Sequence, residues 1–174
     1  VVALYFAAPF RWRWLLLLLA SCIFYMAFIP AYILIFAALI TVDYCAALYL
    51  DKARGTARKV ILGCSIGATV AMLCVFKYYN FFQINVSHAA QFLGWHYPAH
   101  LLNILLPIGL SFHTFQSLSY VMEVYYGRQR PERHFGIYAL YVMFFPQLVA
   151  GPIERPQHLL HQFYEEHRFD YGRL

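Results

Sequence analysis

The chain has 174 residues, 62% of them hydrophobic, 20% aromatic and only 12% charged, with a formal net charge of +5. A soluble domain averages about 45–50% apolar and about 25% charged residues, so a water-soluble fold of this length cannot bury this much apolar surface, and lipid is the expected solvent for much of it. The basic residues cluster as Arg11 and Arg13, as Lys52, Arg54, Arg58 and Lys59, and as Arg128, Arg130 and Arg133; these clusters punctuate apolar segments instead of forming a basic stripe, which argues against nucleic acid as a partner.

Residues 1–10 are apolar and read as the tail of a helix that begins upstream; the basic residues follow this run, the reverse of a signal peptide. Residues 14–29 form a second run, with Trp12 and Trp14 at its mouth, where an interfacial belt favours tryptophan. Pro30 breaks that run, and residues 31–50 form a third. A crossing needs about 20 residues at about 1.5 Å each, so the second run is a little short and the third fits. Residues 60–82 make the next predicted span, with Gly63 and Gly67 at a spacing that permits close helix approach. Residues 83–103 carry Gln, Asn, Ser and three His without a formal charge and predict a segment lying at the membrane interface. Residues 104–126 read as a further span with Pro107 and Gly109 in its first turns. Residues 135–149 would cover only about 22 Å as a helix, so they either cross thinned bilayer or turn back inside the protein. The four cysteines lie within apolar runs without metal-ligand spacing and predict buried free thiols.

Sidedness follows from charge. A hairpin over residues 14–50 returns its two basic ends to one side, the next span leads to the uncharged region around Trp95, and the following one returns to GRQRPERH. No Lys or Arg occurs between Lys77 and Arg128. All three basic clusters thus fall together, as expected for cytoplasmic loops. The predicted fold class is all-α: polytopic integral membrane helices, a Pro/Gly-broken segment and an interfacial amphipathic helix, in one multi-span domain over residues 1–174.

Polar residues inside apolar context are the candidates for chemistry. Ser111, His113, Thr114, Gln116, Ser117 and Ser119 cluster in LPIGLSFHTFQSLSYVMEVYYG, with His113, Gln116 and Ser117 on one helical face. They serve either interhelical hydrogen bonds, worth about 0.6 kcal/mol each on average in a membrane, or the polar lining of a tunnel. Asp43 lies mid-span, where a carboxylate costs about 2.5–3.5 kcal/mol on insertion scales, and it must face protein. Glu123 sits near a basic cluster and is placed to pair with an Arg.

The segment FFPQLVAGPIERPQHLLHQF, residues 144–163, holds Pro146, Gly151, Pro152 and Pro156 at the end of an apolar run. Each Pro removes a backbone donor, and irregular backbone at membrane depth is tolerated only where protein buries it or it lines a watery cavity. Arg155 follows the break with a fixed fork of donors, and Pro156 is suited to start a helix. In PQHLLHQFYEEHRF, Leu159, Leu160, Phe163, Tyr164 and Phe169 predict the apolar face of an interfacial helix, opposite Gln157, His158, His161 and Glu165. His158, His161, Glu165 and His167 read as a solvated face, not a metal site, and no HExxH is present.

KYYNFF at 77–82, LPIGLSFHTFQSLSYVMEVYYG at 106–127 and FFPQLVAGPIERPQHLLHQF at 144–163 occur in that order. Together they resemble the bacterial branch of the membrane-bound O-acyltransferases, particularly the alginate O-acetylation and teichoic-acid D-alanylation proteins. The resemblance implies the N-terminal part of a longer inner-membrane acyltransferase, truncated at both ends. It would act on an exported polysaccharide, with an acyl donor derived from acetyl-CoA, no bound cofactor or metal, and periplasmic acetyl-transfer proteins as partners. It places Pro146, Gln147, Gly151, Pro152 and Arg155 around a central cavity, with Ser111, His113 and Gln116 helping to line it. The family's catalytic histidine is expected beyond residue 174, and His113 matches no catalytic position. A transporter or channel segment with a broken helix and a purely structural membrane subunit are the competing classes.

Overall fold

The computed structural model describes residues 1–27, 29–95, 97, 109–150 and 154–166. All regular elements among them are helical: α1 (Val2–Ala7), α2 (Phe10–Met26), a 3-10 turn (Pro30–Tyr32), α3 (Ile33–Lys52), α4 (Thr56–Phe92), α5 (Leu110–Tyr125), α6 (Phe135–Met143), α7 (Phe145–Ala150), α8 (Pro156–Leu159) and a closing 3-10 turn (Leu160–Tyr164). Helix α3 packs on α4 and α5, and α6 lies against α2, α3 and α5. Two helical stretches, Pro30–Lys52 and Thr56–Phe92, are long and apolar enough to cross a membrane.

The elements start and stop where local chemistry dictates. Pro9 caps α2, so the helix begins at Phe10, four residues before the apolar run, and RWR lies inside it. Arg13 ties α1 down: its Nε donates to Ala8 O at 3.1 Å, and its guanidinium lies 5.0 Å from the Tyr5 ring. Pro30 opens the turn into α3, where its missing N–H costs nothing. Gly109 stands at φ +81 as the N-cap of α5. It is therefore outside the first turn in which the sequence pattern put it; residues 104–108, with Pro107, lie outside the described residues.

Helix α4 corrects the expected boundary at residue 83. It runs 37 residues without interruption, about 55 Å at 1.5 Å per residue. Lys77, Asn80 and Gln83 are polar but do not break helices, so the segment predicted to separate at residue 83 is, as far as Phe92, a continuation of the same helix. The stop is Gly94 at φ +77. Gly94 N–H donates to Gln91 O at 3.0 Å and Trp95 N–H to Ala90 O at 2.8 Å, the paired bonds of a Schellman cap. The same geometry closes α5, with Gly127 N–H on Val124 O and Arg128 N–H on Glu123 O. A Cβ added at Gly63 or Gly67 would meet nothing within 4 Å, so the small-residue spacing receives no neighbour among the described residues. The cysteines also depart from expectation: Cys45 and Cys64 are exposed, and Cys22 and Cys74 are half-buried.

The core is aromatic and centred on α6. Every residue from Ile137 to Met143 is buried, and Tyr120, Tyr138 and Tyr141 are each fully enclosed with Phe36, Leu39 and Ile40 of α3. Gly136 permits the close approach of α6 to α2, since a Cβ there would lie 2.4 Å from the Trp14 ring. The three basic segments are linked by contact. Trp14 stacks edge-on against His134 at 4.8 Å, and the Tyr44 hydroxyl donates to Arg133 O. Arg58 Nη2 reaches the α5 carbonyls of Val124 and Tyr125 at 3.3 and 2.6 Å.

Candidate functional site

The short apolar segment does not continue as one helix. It breaks at Phe144 (φ −59, ψ +99) and resumes as α7. Pro146 accounts for this: it has no N–H for the carbonyl of Val142, and its ring would crowd that carbonyl in a continuous helix. The break therefore frees backbone groups in a buried place, where each unsatisfied group costs several kcal/mol. Side chains of neighbouring helices take them. His113 Nδ1 bonds Val142 O, Gln116 Nε2 donates to Tyr141 O at 2.8 Å, and the Phe145 N–H donates to Ser21 Oγ at 3.4 Å. Gln116 Nε2 also reaches Gln147 Oε1 at 3.0 Å, joining α5 to α7.

These bonds define the state of His113. A carbonyl only accepts, so Nδ1 carries the proton, and Nε2 accepts from the Tyr25 hydroxyl at 2.6 Å. The ring is fully buried between Tyr25 and Phe36. Both nitrogens are committed to structure, and neither has a lone pair left to take a proton from a reacting hydroxyl. Gln116 is equally buried, and its Oε1 has no hydrogen-bond partner among the described residues.

A second polar cluster lies on the same face of α5. Asp43 is fully buried. Its Oδ1 accepts from Ser65 Oγ at 2.6 Å and Thr69 Oγ1 at 3.0 Å, and its Oδ2 accepts from Ser117 Oγ at 2.6 Å. Ser117 Oγ is also 2.8 Å from the Tyr138 hydroxyl. The expectation that Asp43 faces protein is met, with hydroxyl groups of α4 and α5 as the partners.

The remaining sequence candidates divide by position. Pro146 is exposed and borders an open apolar cavity of about 400 Å³, together with Phe144, Phe145, Phe6, Leu17 and Phe163. Gln147 is 7% exposed. Ser111 is half-buried, one turn from the break contacts. Arg155 is exposed, and its carbonyl accepts the His158 N–H at 3.0 Å as the first turn of α8 begins. Gly151, Pro152 and His167 lie outside the described residues. The geometry thus joins His113, Gln116 and Gln147 around the break, while Arg155 stands apart as the N-cap of α8. The sequence pattern missed Ser21 and Tyr25, whose role depends on α2 lying beside the break. Their presence as polar tips in an otherwise apolar run was the only available signal.

The expected interfacial helix is shorter than its sequence pattern. The turn of α8 tightens into the 3-10 turn and ends at Glu165. Leu160 is buried and Leu159 and Phe163 pack on the core, but Tyr164 is exposed, against expectation. Its hydroxyl reaches out to Glu132 Oε1 at 2.8 Å. Partial burial and that hydrogen bond push the Tyr164 phenol up from its ordinary value, so it remains a donor at neutral pH. Gln157 Nε2 donates to Glu123 Oε2 at 2.8 Å, and Arg128 lies 3.8 Å from the same carboxylate, the Arg pairing expected for Glu123. His161 Nδ1 bonds Gln157 O, and Nε2 lies 3.8 Å from Glu165.

An all-helical chain, with two membrane-length apolar helices packed beside an interrupted one stitched by polar side chains, is the class that fold and site define. The chain is 37% identical over 169 residues to a probable alginate O-acetylase of Pseudomonas aeruginosa, covering 93% of this chain and 31% of that protein. It is 36% identical over 165 residues to the corresponding protein of Azotobacter vinelandii, covering 93% of this chain and 33% of the relative. A peptidoglycan O-acetyltransferase of Helicobacter pylori is 32% identical over 174 residues, covering 84% of this chain and 32% of the relative. This similarity agrees with the resemblance of the three motifs to the bacterial O-acetylase branch of the membrane-bound O-acyltransferases. It spans about a third of the length of the curated relatives it matches. No family model matches the chain, and no solved structure matches it significantly.

Proposed function

We propose that the full-length protein is a multi-pass inner-membrane O-acyltransferase that passes an acetyl group toward hydroxyls of an exported polysaccharide, with alginate as the favoured acceptor class. The observation that carries this reading is the match, over nearly the whole chain, to proteins named as O-acetylases of alginate and of peptidoglycan. The helix break supports it: irregular backbone deep in an apolar fold is costly, and three neighbouring side chains are used to maintain it here. An apolar cavity adjoins the break, and the guanidinium-bearing Arg155 follows it.

In this reading the donor is a thioester derived from acetyl-CoA on the cytoplasmic side, and periplasmic acetyl-transfer proteins complete delivery. The general base that takes the proton of the attacking hydroxyl lies beyond residue 174. His113 cannot serve, since both its nitrogens are occupied. Arg155 offers a planar set of donors to developing negative charge. Feeding labelled acetate to the host with and without the gene tests the function. Label in ester linkage on surface polysaccharide should depend on the gene, and equal labelling in both strains would refute the proposal.

A further inference from the structure

Helix α6 poses a problem of rotational setting. Residues Ile137 to Met143 are buried on every side, and a helix that is apolar all round has no polar face to choose its orientation. Apolar packing tolerates small repackings; a buried polar contact does not, and single polar groups can set register in helical assemblies. Tyr138 supplies such a contact. Ser117 donates its one proton to Asp43, so the Tyr138 hydroxyl is the donor to Ser117. Four hydroxyl protons, from Ser65, Thr69, Ser117 and Tyr138, converge directly or through Ser117 on one carboxylate. The two acceptor oxygens of a carboxylate at position 43 take them all; an Asn amide keeps one acceptor oxygen and leaves a hydroxyl proton of the cluster without its acceptor.

We infer that Asp43 is a positioning residue. Through Ser117 it holds Tyr138 and so fixes the rotation of α6, which delivers the break at Phe144 and, through Glu154, Arg155 to the acyl-transfer site. The Tyr141 hydroxyl, which donates to Glu154 O at 3.0 Å, links the same helix directly to the residue before Arg155. The inference rests on the proposed function for its consequence, but its geometric content stands apart from it.

The test uses the full-length protein in a background without native cysteines, carrying Ser21→Cys and Phe145→Cys, whose parent residues approach to 3.4 Å across the break. The rate of oxidative cross-linking reports the placement of α7 without reference to activity. Asp43→Asn and Tyr138→Phe should each slow it about tenfold, because a displacement of an ångström changes proximity-controlled rates by up to about 100-fold. The double variant should be no slower than the slower single one. In proteins retaining Ser21 and Phe145, the same two substitutions should lower surface acetylation by a similar factor at unchanged membrane level. Should Asp43→Asn fail to accumulate, Tyr138→Phe decides, since it removes one oxygen and keeps the ring. Unchanged cross-linking in the accumulating variants overturns the inference even if acetylation is normal. Slowed cross-linking in a protein that never acetylates would sustain the positioning role and refute the function.

Discussion

His113 shows how a residue that looks catalytic can be bound to structure. Its two nitrogens join the freed carbonyl of Val142 to the hydroxyl of Tyr25, and Gln116 does the same for Tyr141 O and Gln147. An average interhelical hydrogen bond in a membrane contributes about 0.6 kcal/mol, but a carbonyl left buried without a partner costs about 1–3 kcal/mol. The second term decides here, because Val142 O and Tyr141 O have lost their helical donors at the break. We predict that His113→Phe and Gln116→Leu each destabilise the protein by about 1–3 kcal/mol, whereas Ser111→Ala stays within about 0.5 kcal/mol; thermal unfolding in detergent measures all three. That His113, Gln116 and Ser117 share a face was legible from helical spacing. Their partners were not, because a main-chain carbonyl becomes available only where another helix breaks, 25 to 29 residues away.

At the scale of elements, breaks and stops follow from a few residues, some of them visible in the sequence. Pro146 announced irregular backbone, yet the interruption falls two residues earlier, at Phe144, because a proline acts on the carbonyl four residues before it. The end of α4 was placed too early because polar side chains were read as an end; Gly94 with its left-handed φ ends the helix. The end of α5 is held by more than its glycine. Arg58 donates to its last carbonyls and lies 5.3 Å from the Tyr125 ring, a favourable place for a cation near a helix C-terminus. Arg58→Met should lower stability by about 1–2 kcal/mol through loss of the capping and cation–π contacts, and Gly127→Ala by about 1–2 kcal/mol through a strained left-handed residue. Chemical denaturation of the detergent-solubilised protein would compare them, and a neutral Arg58→Met would mean that the glycine cap alone closes α5.

For the whole molecule, the contacts of Trp14 with His134, Tyr44 with Arg133 O and Arg58 with the end of α5 bring the basic segments toward one another, as the charge pattern required. Single cysteines at positions 54 and 130, in a background without native cysteines, should resist an impermeant thiol reagent in intact cells, while one at position 95 should react. Labelling of position 54 from outside would invert the topology. In the proposed function, acyl transfer depends on Arg155, which follows the break in the chain. Arg155 is exposed, so its replacement should leave stability within about 0.5 kcal/mol and the membrane level unchanged. If Arg155 merely reached headgroups, Lys would do as well; if its planar fork acts on the transferring group, Lys fails. The most direct measurement is therefore ester-linked acetyl on surface polysaccharide, normalised to membrane protein level, for the intact protein with Arg155, Arg155→Lys and Arg155→Ala. We predict background acetyl for Ala and a substantial loss for Lys; near-normal acetylation in the Ala variant would contradict the placement of acyl transfer at this break.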